Sequence, residues 1–207
     1  MRFPVNFISL ERELVPVTPY LKGRVLNAGC GNRDISTYLQ NAHASAVDNC
    51  DISSAIPNAI LCDLTDIPRP DGAYDSILCN AVFEHVPDPE LVMSEFHRLL
   101  VPGGHVVIAV PFLQPFHPTP FDFRRYTGTG IEQLAERSGF RVIELRPVHS
   151  LAQTLGWIIW AHLEERRSKF GQLLCWIPLH LVTRWFQTPW PGQVVTANGF
   201  QAVVQKR

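Results

Sequence analysis

The run VLNAGCGNRD, residues 25–34, constrains the fold more than any other stretch of this chain. Apolar residues lead into Gly29 and Gly31, and a polar segment follows, which is the pattern of a strand, a tight turn and a helix. Glycine lets the backbone at such a turn pass close to a ligand, and the start of a helix offers N–H groups to it. The turn is therefore a candidate nucleotide-binding loop.

Three further apolar runs each end in a polar residue. The first ends at Asp48, about 20 residues after the glycines, where a carboxylate can accept hydrogen bonds from both hydroxyls of a ribose. The next two end at Asp63 and Asn80, and all three are expected at one edge of a parallel sheet. An NAD-binding or purely structural turn is the alternative, but the last glycine of the dinucleotide pattern G-x-G-x-x-G is replaced by Asp34.

A capped helix and a buried strand are predicted after Asn80. Asp88, Pro89 and Glu90 are typical of a helix start, and Leu91 is expected to face the sheet. The Pro-Gly-Gly segment, 102–104, is expected to end this helix, and the apolar run after it predicts a central strand buried on both faces.

Length and composition fit one α/β domain. The chain has 207 residues, of which 46% are hydrophobic and 18% charged, enough for a sizeable core. A net charge of −1 provides no broad basic field for nucleic acid. The cysteines form no C-x-x-C pair and the histidines lack zinc-like spacing, so we expect a reducing compartment and no metal. No signal-peptide pattern is visible, which predicts a cytoplasmic protein.

Together these motifs resemble the class I S-adenosylmethionine-dependent methyltransferases, in their small-molecule, type 11-like branch. The resemblance runs from residue 24 to about residue 146 and includes a last strand near the C-terminus. It implies a Rossmann-like α/β fold, with a mostly parallel seven-stranded sheet, an antiparallel last strand and a helical insertion before that strand. The motifs are LNAGCGNR (26–33), AVDNCD (46–51), LCDLTDIP (61–68), YDSILCNAVFEHVPDP (74–89), LLVPGGHVVIAVPF (99–112) and NGFQAVVQK (198–206).

The resemblance implies S-adenosylmethionine as the cofactor. It places Asp48 at the ribose, Asp63 at the adenine amino group and Leu64 against the adenine ring. The family often has an acidic residue at the position of Asn27 and a further glycine at that of Arg33, so weaker cofactor binding is expected here. The cofactor-binding positions implied are Asn27, Gly29, Gly31, Asp48, Asp63, Leu64 and Asn80.

The loop PFHPTPFDFRRYT, residues 115–127, is the candidate acceptor site. It follows the fifth strand, at the edge where the cofactor is expected. His117 is the hypothesised general base, and Arg124 or Arg125 would bind an anionic group. A structural loop stiffened by its prolines is the alternative. The residues expected to contact the acceptor are His85, Asp122, Arg124, Arg125 and Tyr126.

Residues 147–197 form an insertion that the minimal fold does not need, and they hold all five tryptophans. Two apolar stretches, 151–163 and 170–186, flank a charged hinge and predict a helical hairpin; each is too short or interrupted for a transmembrane span. The hairpin is expected to be a lid, a dimer face or a segment lying on a lipid interface. The tryptophans are Trp157, Trp160, Trp176, Trp185 and Trp190.

The predicted function is S-adenosylmethionine-dependent methyl transfer to a small-molecule, sugar-linked or lipid-linked acceptor by in-line displacement. One methyltransferase domain, residues 1–207, would carry it. An RNA or protein methyltransferase, supported only by two arginine pairs, and a noncatalytic cofactor-binding or membrane-associated scaffold are the alternatives. No nucleic acid partner is expected, while the hairpin leaves a homodimer and peripheral contact with the inner membrane face open.

Overall fold

The computed structural model describes residues 3–118, 120–189 and 194–207. Its strands form one seven-stranded sheet. They are β1 Gly23–Ala28, β2 Ala44–Asp51, β3 Ile60–Leu61, β4 Tyr74–Asn80, β5 Leu100–Pro111, β6 Phe140–Val148 and β7 Gly199–Lys206.

The strand order is β3-β2-β1-β4-β5-β7-β6. Neighbouring strands from β3 to β5 are parallel. β7 runs antiparallel to β5 and to β6, so β6 at the edge points in the same direction as β1 to β5. This confirms the predicted sheet with its antiparallel last strand, and it brings the carboxyl ends of the parallel strands to one edge.

Helices connect the strands, and polar side chains cap several of them. Asp88 accepts a hydrogen bond from the N–H of Leu91 and Pro89 takes the first helical position, as predicted for the third helix. Thr127 and Ser150 cap the fourth and fifth helices in the same way. The helices are α1 Leu10–Leu14, α2 Ser36–Ala42, α3 Pro89–Leu99, α4 Gly128–Arg137, α5 Leu151–Glu165 and α6 Lys169–Trp185, with a 3₁₀ turn at Thr18–Tyr20.

Apolar clusters cover both faces of the sheet. On β5, Val106 and Ile108 join the cluster that includes α3 and α4, while Val107 joins the one that includes α1 and α2. Successive residues of a strand point to opposite faces, so a strand with helices on both sides must be apolar throughout. The near-continuous apolar run of β5 has this cause.

Several boundaries differ from the sequence prediction. β2 continues to Asp51 instead of ending at Asp48, and β3 ends at Leu61. The Pro-Gly-Gly segment, 102–104, lies inside β5 instead of separating it from α3. Leu91, predicted to face the sheet, is 55% exposed because it lies on the outer side of the first turn of α3.

α5 and α6 form the predicted helical hairpin between β6 and β7, and α6 continues through Pro178. The N-terminal arm holds the hairpin: Gln153 donates to the Asn6 carbonyl at 2.6 Å, and the Asn6 N–H donates to the Thr183 hydroxyl at 3.0 Å. Among the described residues, no helix is both long enough and apolar enough to cross a membrane. Trp190 lies outside the described residues.

Candidate functional site

The glycine turn at the end of β1 is bonded to β2. The N–H groups of Gly29 and Cys30 donate to the Cys50 carbonyl at 2.8 and 3.0 Å. The Gly31 N–H donates to Oδ2 of Asp51 at 2.8 Å. All three N–H groups therefore have partners within the protein. The turn can fit closely around a ligand, but these three N–H groups are not free to donate to it.

The two glycines meet different surroundings. Gly29 has φ +71°, and a Cβ there would lie 2.3 Å from the Val82 side chain. Gly31 has φ +54°, and a Cβ there would have no atom of the described residues within 4 Å, its two chain neighbours aside. Gly29 is thus required by close packing against the segment after β4, whereas Gly31 borders open space where a ligand can approach.

Asp48 lies inside β2, and the prediction that it ends the strand beside the glycine turn is wrong. The Tyr74 hydroxyl donates to Asp48 at 2.7 Å and the Arg69 guanidinium lies 3.4 Å away, so tertiary partners satisfy the carboxylate within the strand. Asp51 ends β2 and contacts the turn. It follows Gly31 by about 20 residues, the spacing expected of a ribose-binding carboxylate.

Two asparagines lie where the methionine end of the cofactor was predicted. Asn27 is buried in β1, where its amide donates to Oδ1 of Asn49 at 2.8 Å. Asn80 ends β4, next to β1 in the sheet. Its Oδ1 is buried and has no hydrogen-bond partner among the described residues. A buried acceptor without a partner is rare in folded proteins and indicates a place for a donor from outside the chain.

The segment after β3 holds the predicted adenine-binding residues. Asp63 accepts hydrogen bonds from the N–H and hydroxyl of Thr65 at 2.9 and 2.8 Å, which shapes the turn. Leu64 is 7% exposed and belongs to the core cluster on the α3 side of the sheet. Phe83, in the segment after β4, is buried and packs edge-on against Phe96 with ring centres 6.1 Å apart.

Three ionisable side chains meet beyond the ends of β4 and β5. Glu84 is 1% exposed, and its Oε1 lies 3.7 Å from Nε2 of His85 and 3.8 Å from Nε2 of His117. The Glu84 carboxylate raises the pKa of His117. Trp157 on α5 lies against His117 with ring centres 5.6 Å apart, so the hairpin reaches over this cluster.

Glu84 is missing from the residues that sequence reasoning assigned to the site. The available signal was a charged residue in the FEHV segment, directly after an apolar strand. The sequence does not show that Glu84 turns inward toward His117, which comes from a loop 33 positions later.

The acceptor loop is braced by an ion pair. Arg125 donates to Oδ2 of Asp122 at 2.7 Å and to the Pro115 carbonyl at 2.9 Å. The guanidinium lowers the pKa of Asp122 to about 2. Asp122 also accepts the His117 N–H at 2.8 Å. Asp122 and Arg125 thus position His117, and binding of an anionic substrate by Arg125 would break these bonds.

Arg124 and Tyr126 also bond to the protein. Arg124 donates to the Pro87 carbonyl at 2.6 Å, and the buried Tyr126 hydroxyl donates to the Phe83 carbonyl at 3.1 Å. These contacts join the acceptor loop to the segment after β4. The Arg124–Arg125 pair, which supported the RNA or protein alternative, therefore serves loop structure.

The methyltransferase domain family matches residues 10–145. That match covers most of the chain and includes the glycine turn, the strand-end residues and the acceptor loop. The chain belongs to this family. S-adenosylmethionine is the cofactor of this family of class I methyltransferase domains. The glycine turn, Asp51 and Asn80 are the groups whose contribution to binding this cofactor is to be tested.

The methyltransferase domain also resembles individual proteins. It is 30% identical over 115 residues to a probable S-adenosylmethionine-dependent methyltransferase of Mycolicibacterium smegmatis. The aligned segment covers 53% of this chain and 41% of that protein. It is 32% identical over 108 residues to a ubiquinone biosynthesis O-methyltransferase of Xylella fastidiosa, covering 44% and 43%. The matched segments span less than half the length of these two relatives.

A solved structure shows the same fold over nearly the full chain. An S-adenosylmethionine-dependent methyltransferase from Mesorhizobium loti superposes with a TM-score of 0.63 at 14% identity, covering 96% of this chain and 98% of that one. The Rossmann-like methyltransferase fold is thereby confirmed.

Proposed function

We propose that this protein transfers the methyl group of S-adenosylmethionine to an oxygen atom of a small-molecule acceptor, either free or linked to a lipid or sugar. The observation that carries this proposal is the meeting, at one sheet edge, of the glycine turn and Asn80 with the cluster of Glu84, His85 and His117. Family membership supports methyl transfer, and the similarity to the Xylella fastidiosa O-methyltransferase supports an oxygen acceptor.

The cofactor side of the site fits S-adenosylmethionine. Its ammonium group only donates hydrogen bonds, which suits the buried, unpartnered Oδ1 of Asn80. Gly31 leaves room for the methionine part. We assign the ribose hydroxyls to Asp51 and the adenine amino group to Asp63. Asn27 replaces an acidic residue near the ammonium, so its contribution lacks the charge-assisted part.

When bound, S-adenosylmethionine supplies a methyl group on positively charged sulfur. The protein must align the acceptor in line with that group and exclude water. Trp157 and the acceptor loop shield the place where we locate the acceptor. The cluster of Glu84, His85 and His117 faces this place. These are the side chains that can take up the acceptor's proton. The general-base role of His117 stays a prediction.

The hairpin supports an acceptor with an apolar part. Its inner side carries Trp157 beside His117, as a lid would. Its outer side exposes a broad apolar surface, and the hairpin tip adds exposed Arg166, Arg167 and Lys169 beside exposed Glu164 and Glu165, a net positive charge. We propose that this outer face touches an anionic lipid surface. The exposed apolar residues of this face are Leu155, Ile158, Ile159, Phe170, Leu173, Leu174, Ile177, Leu181, Val182 and Trp185.

Label transfer tests the proposed reaction. The protein is incubated with methyl-labelled S-adenosylmethionine and a small-molecule extract, beside an Asp51→Asn control. We expect label in organic-soluble products that resist nuclease and protease, and much less with the control. Label in RNA or protein would support the alternative methyltransferase classes. No label from a folded protein that binds S-adenosylhomocysteine would support the noncatalytic scaffold.

A further inference from the structure

The cluster of Glu84, His85 and His117 has the composition of a metal site. One ligand atom from each residue lies within 4.8 Å of the other two. Glu84 and His85 come from the turn after β4 and His117 from the loop after β5, so the fold, and not a local sequence motif, assembles the group. Sequence spacing gave no reason to expect it.

Backbone carbonyls orient both imidazoles. Nδ1 of His85 lies 2.5 Å from the Phe121 carbonyl, and Nδ1 of His117 lies 2.7 Å from the Pro115 carbonyl. The Arg125 guanidinium is farther from the latter nitrogen, at 3.4 Å. A carbonyl only accepts, so each Nδ1 carries hydrogen, and each Nε2 lies on the side of Glu84. Histidines that bind metals are usually held in this way.

The two Nε2 atoms face a carboxylate that is almost fully buried. Oε2 of Glu84 has no hydrogen-bond partner among the described residues. A buried carboxylate is unfavourable without a counter-charge. Arg125 does not supply one, because it is paired with Asp122. The Glu84 carboxylate and the two Nε2 atoms therefore converge on a point that suits a cation.

The spacing suits a small divalent ion. The separations of 3.7 and 3.8 Å between Oε1 and the two Nε2 atoms exceed hydrogen-bond length. Ligand atoms about 2.1 Å from a tetrahedral Zn²⁺ lie about 3.4 Å apart, so each imidazole would move a few tenths of an ångström toward the carboxylate. The ligand atoms of the two histidines lie within 4.8 Å of each other and would also draw together.

We propose that Glu84, His85 and His117 bind a divalent transition-metal ion such as Zn²⁺ and leave a coordination position for the acceptor oxygen. Three protein ligands with an open position are typical of catalytic metal sites. The inference rests on the proposed methyl transfer. A hydroxyl bound to the ion loses its proton to water more readily, its oxygen then bonds to the methyl carbon, and the carbon–sulfur bond breaks to leave a neutral thioether.

Metal binding can be measured without turnover. The purified protein is stripped with a chelator, dialysed and titrated with Zn²⁺ by calorimetry and with Co²⁺ by visible absorption. We expect one bound ion per chain, with affinity reduced by roughly 100-fold or more in Glu84→Gln and in His117→Gln. His162→Gln, at an exposed position on α5, is the matched control and should bind like the wild type. Circular dichroism checks that each variant is folded.

The outcomes separate this proposal from the proposed function. Binding of the ion that is lost in both ligand variants and kept in the control supports the site. A folded wild-type protein that binds no ion, or a stripped protein with undiminished methyl transfer, overturns the metal proposal and leaves the methyltransferase function standing. An ion that binds normally in a protein that never binds S-adenosylhomocysteine would sink the proposed function and keep the site.

Discussion

Gly29 and Gly31 lie in one turn, but a methyl group at each position would meet different surroundings. Both have positive φ, which costs an alanine about 1–2 kcal/mol. At Gly29 the added carbon would also strike Val82, for roughly 1–3 kcal/mol more. At Gly31 it enters the space that we assign to the cofactor.

We therefore expect Gly29→Ala to lower thermal stability more than Gly31→Ala does. Gly31→Ala should lower the affinity for S-adenosylhomocysteine, and this loss of affinity should be larger than the loss of folding stability in the same variant can account for. Thermal unfolding and calorimetric titration of the two variants measure both effects. Equal loss of stability, with unchanged affinity in Gly31→Ala, would show that the open side of Gly31 does not face the cofactor.

Glu13 gives stability a pH dependence. Its carboxyl lies 3.5 Å from His149, and burial raises the pKa of Glu13 to about 7 and lowers the pKa of His149 to about 4. Both groups are thus uncharged between these pH values. The folded state holds the Glu13 proton that the unfolded chain releases near pH 4.5, so this residue's contribution to stability falls as pH rises from about 4.5 to 7.

Glu13→Gln removes this titration. The free energy of unfolding of the wild type, relative to the variant, should fall by roughly 2–3 kcal/mol between pH 4.5 and 7.5. Urea unfolding across that range measures it. Glu136→Gln, at an exposed position on α4, should run parallel to the wild type. A Glu13→Gln curve that also runs parallel would contradict the buried, protonated state of Glu13.

The choice between Asp48 and Asp51 shows where residue-level prediction stops. The sequence places acidic residues about 20 positions after the glycine turn, the spacing expected of a ribose-binding carboxylate. It does not show which one, because Asp48 and Asp51 both fit an apolar run followed by polar residues. Tyr74 and Arg69 let Asp48 remain inside β2, and they come from elsewhere in the chain.

At the scale of elements, Glu95 on α3 fixes the segment between β3 and β4. It accepts the buried N–H of Ile67 at 2.8 Å and a hydrogen bond from Arg98 at 2.8 Å. Glu95→Ala leaves that N–H without a partner, so we expect a loss of roughly 1–3 kcal/mol in the free energy of unfolding. Glu90→Ala, exposed on the same helix, should change it little. Chemical denaturation compares the two variants. Equal losses in the free energy of unfolding would show that Glu95 does not fix this segment.

Asn6 joins the N-terminal arm to both hairpin helices. Its amide donates to the His180 carbonyl at 2.9 Å, in addition to the bonds with Gln153 and Thr183. Asn6→Ala should speed hydrogen exchange in α6 while leaving β4 and β5 protected, because it removes the side-chain bond to the His180 carbonyl and keeps the main-chain bonds to Gln153 and Thr183. Mass spectrometry of exchange measures this. Unchanged hairpin protection would show that the side chain of Asn6 does not hold it.

Elements with local signals were predicted well. Asp88 with Pro89 marks the start of α3, and the apolar run of β5 marks a central strand. The hairpin helices also agree closely with the apolar stretches. Glu84 and the arm formed around Asn6 carry no comparable local signal, since their roles arise from residues far away in sequence.

At the scale of the whole molecule, the seven-stranded sheet with its antiparallel last strand follows from the resemblance of the motifs, but the contact between the hairpin and the acceptor loop does not. Trp157 meets His117 across 40 positions of sequence. This contact favours the lid among the alternatives that the sequence left open. The face turned away from the loop is the one proposed to meet lipid.

A flotation assay tests the lipid contact. The protein should float with vesicles that contain anionic lipid, and the pair Leu173→Glu and Leu174→Glu should reduce the bound fraction several-fold by removing exposed apolar surface. Val15→Glu, at an exposed apolar position outside the hairpin, should have little effect. Equal binding by all variants would contradict the lipid contact. A concentration-dependent dimer lost in the leucine variants would point to a second copy instead.

Calorimetric titration with S-adenosylhomocysteine tests the central claim, a cofactor site built at the glycine turn, most directly. Asp51→Asn and Asp48→Asn form the matched pair. We predict that the wild type binds and that its affinity falls roughly tenfold to 100-fold in Asp51→Asn, because a charged acceptor for hydroxyl groups is lost. Asp48→Asn should keep its affinity and lose some stability. No binding by the folded wild type, or a loss of affinity only in Asp48→Asn, would contradict a cofactor site at the glycine turn.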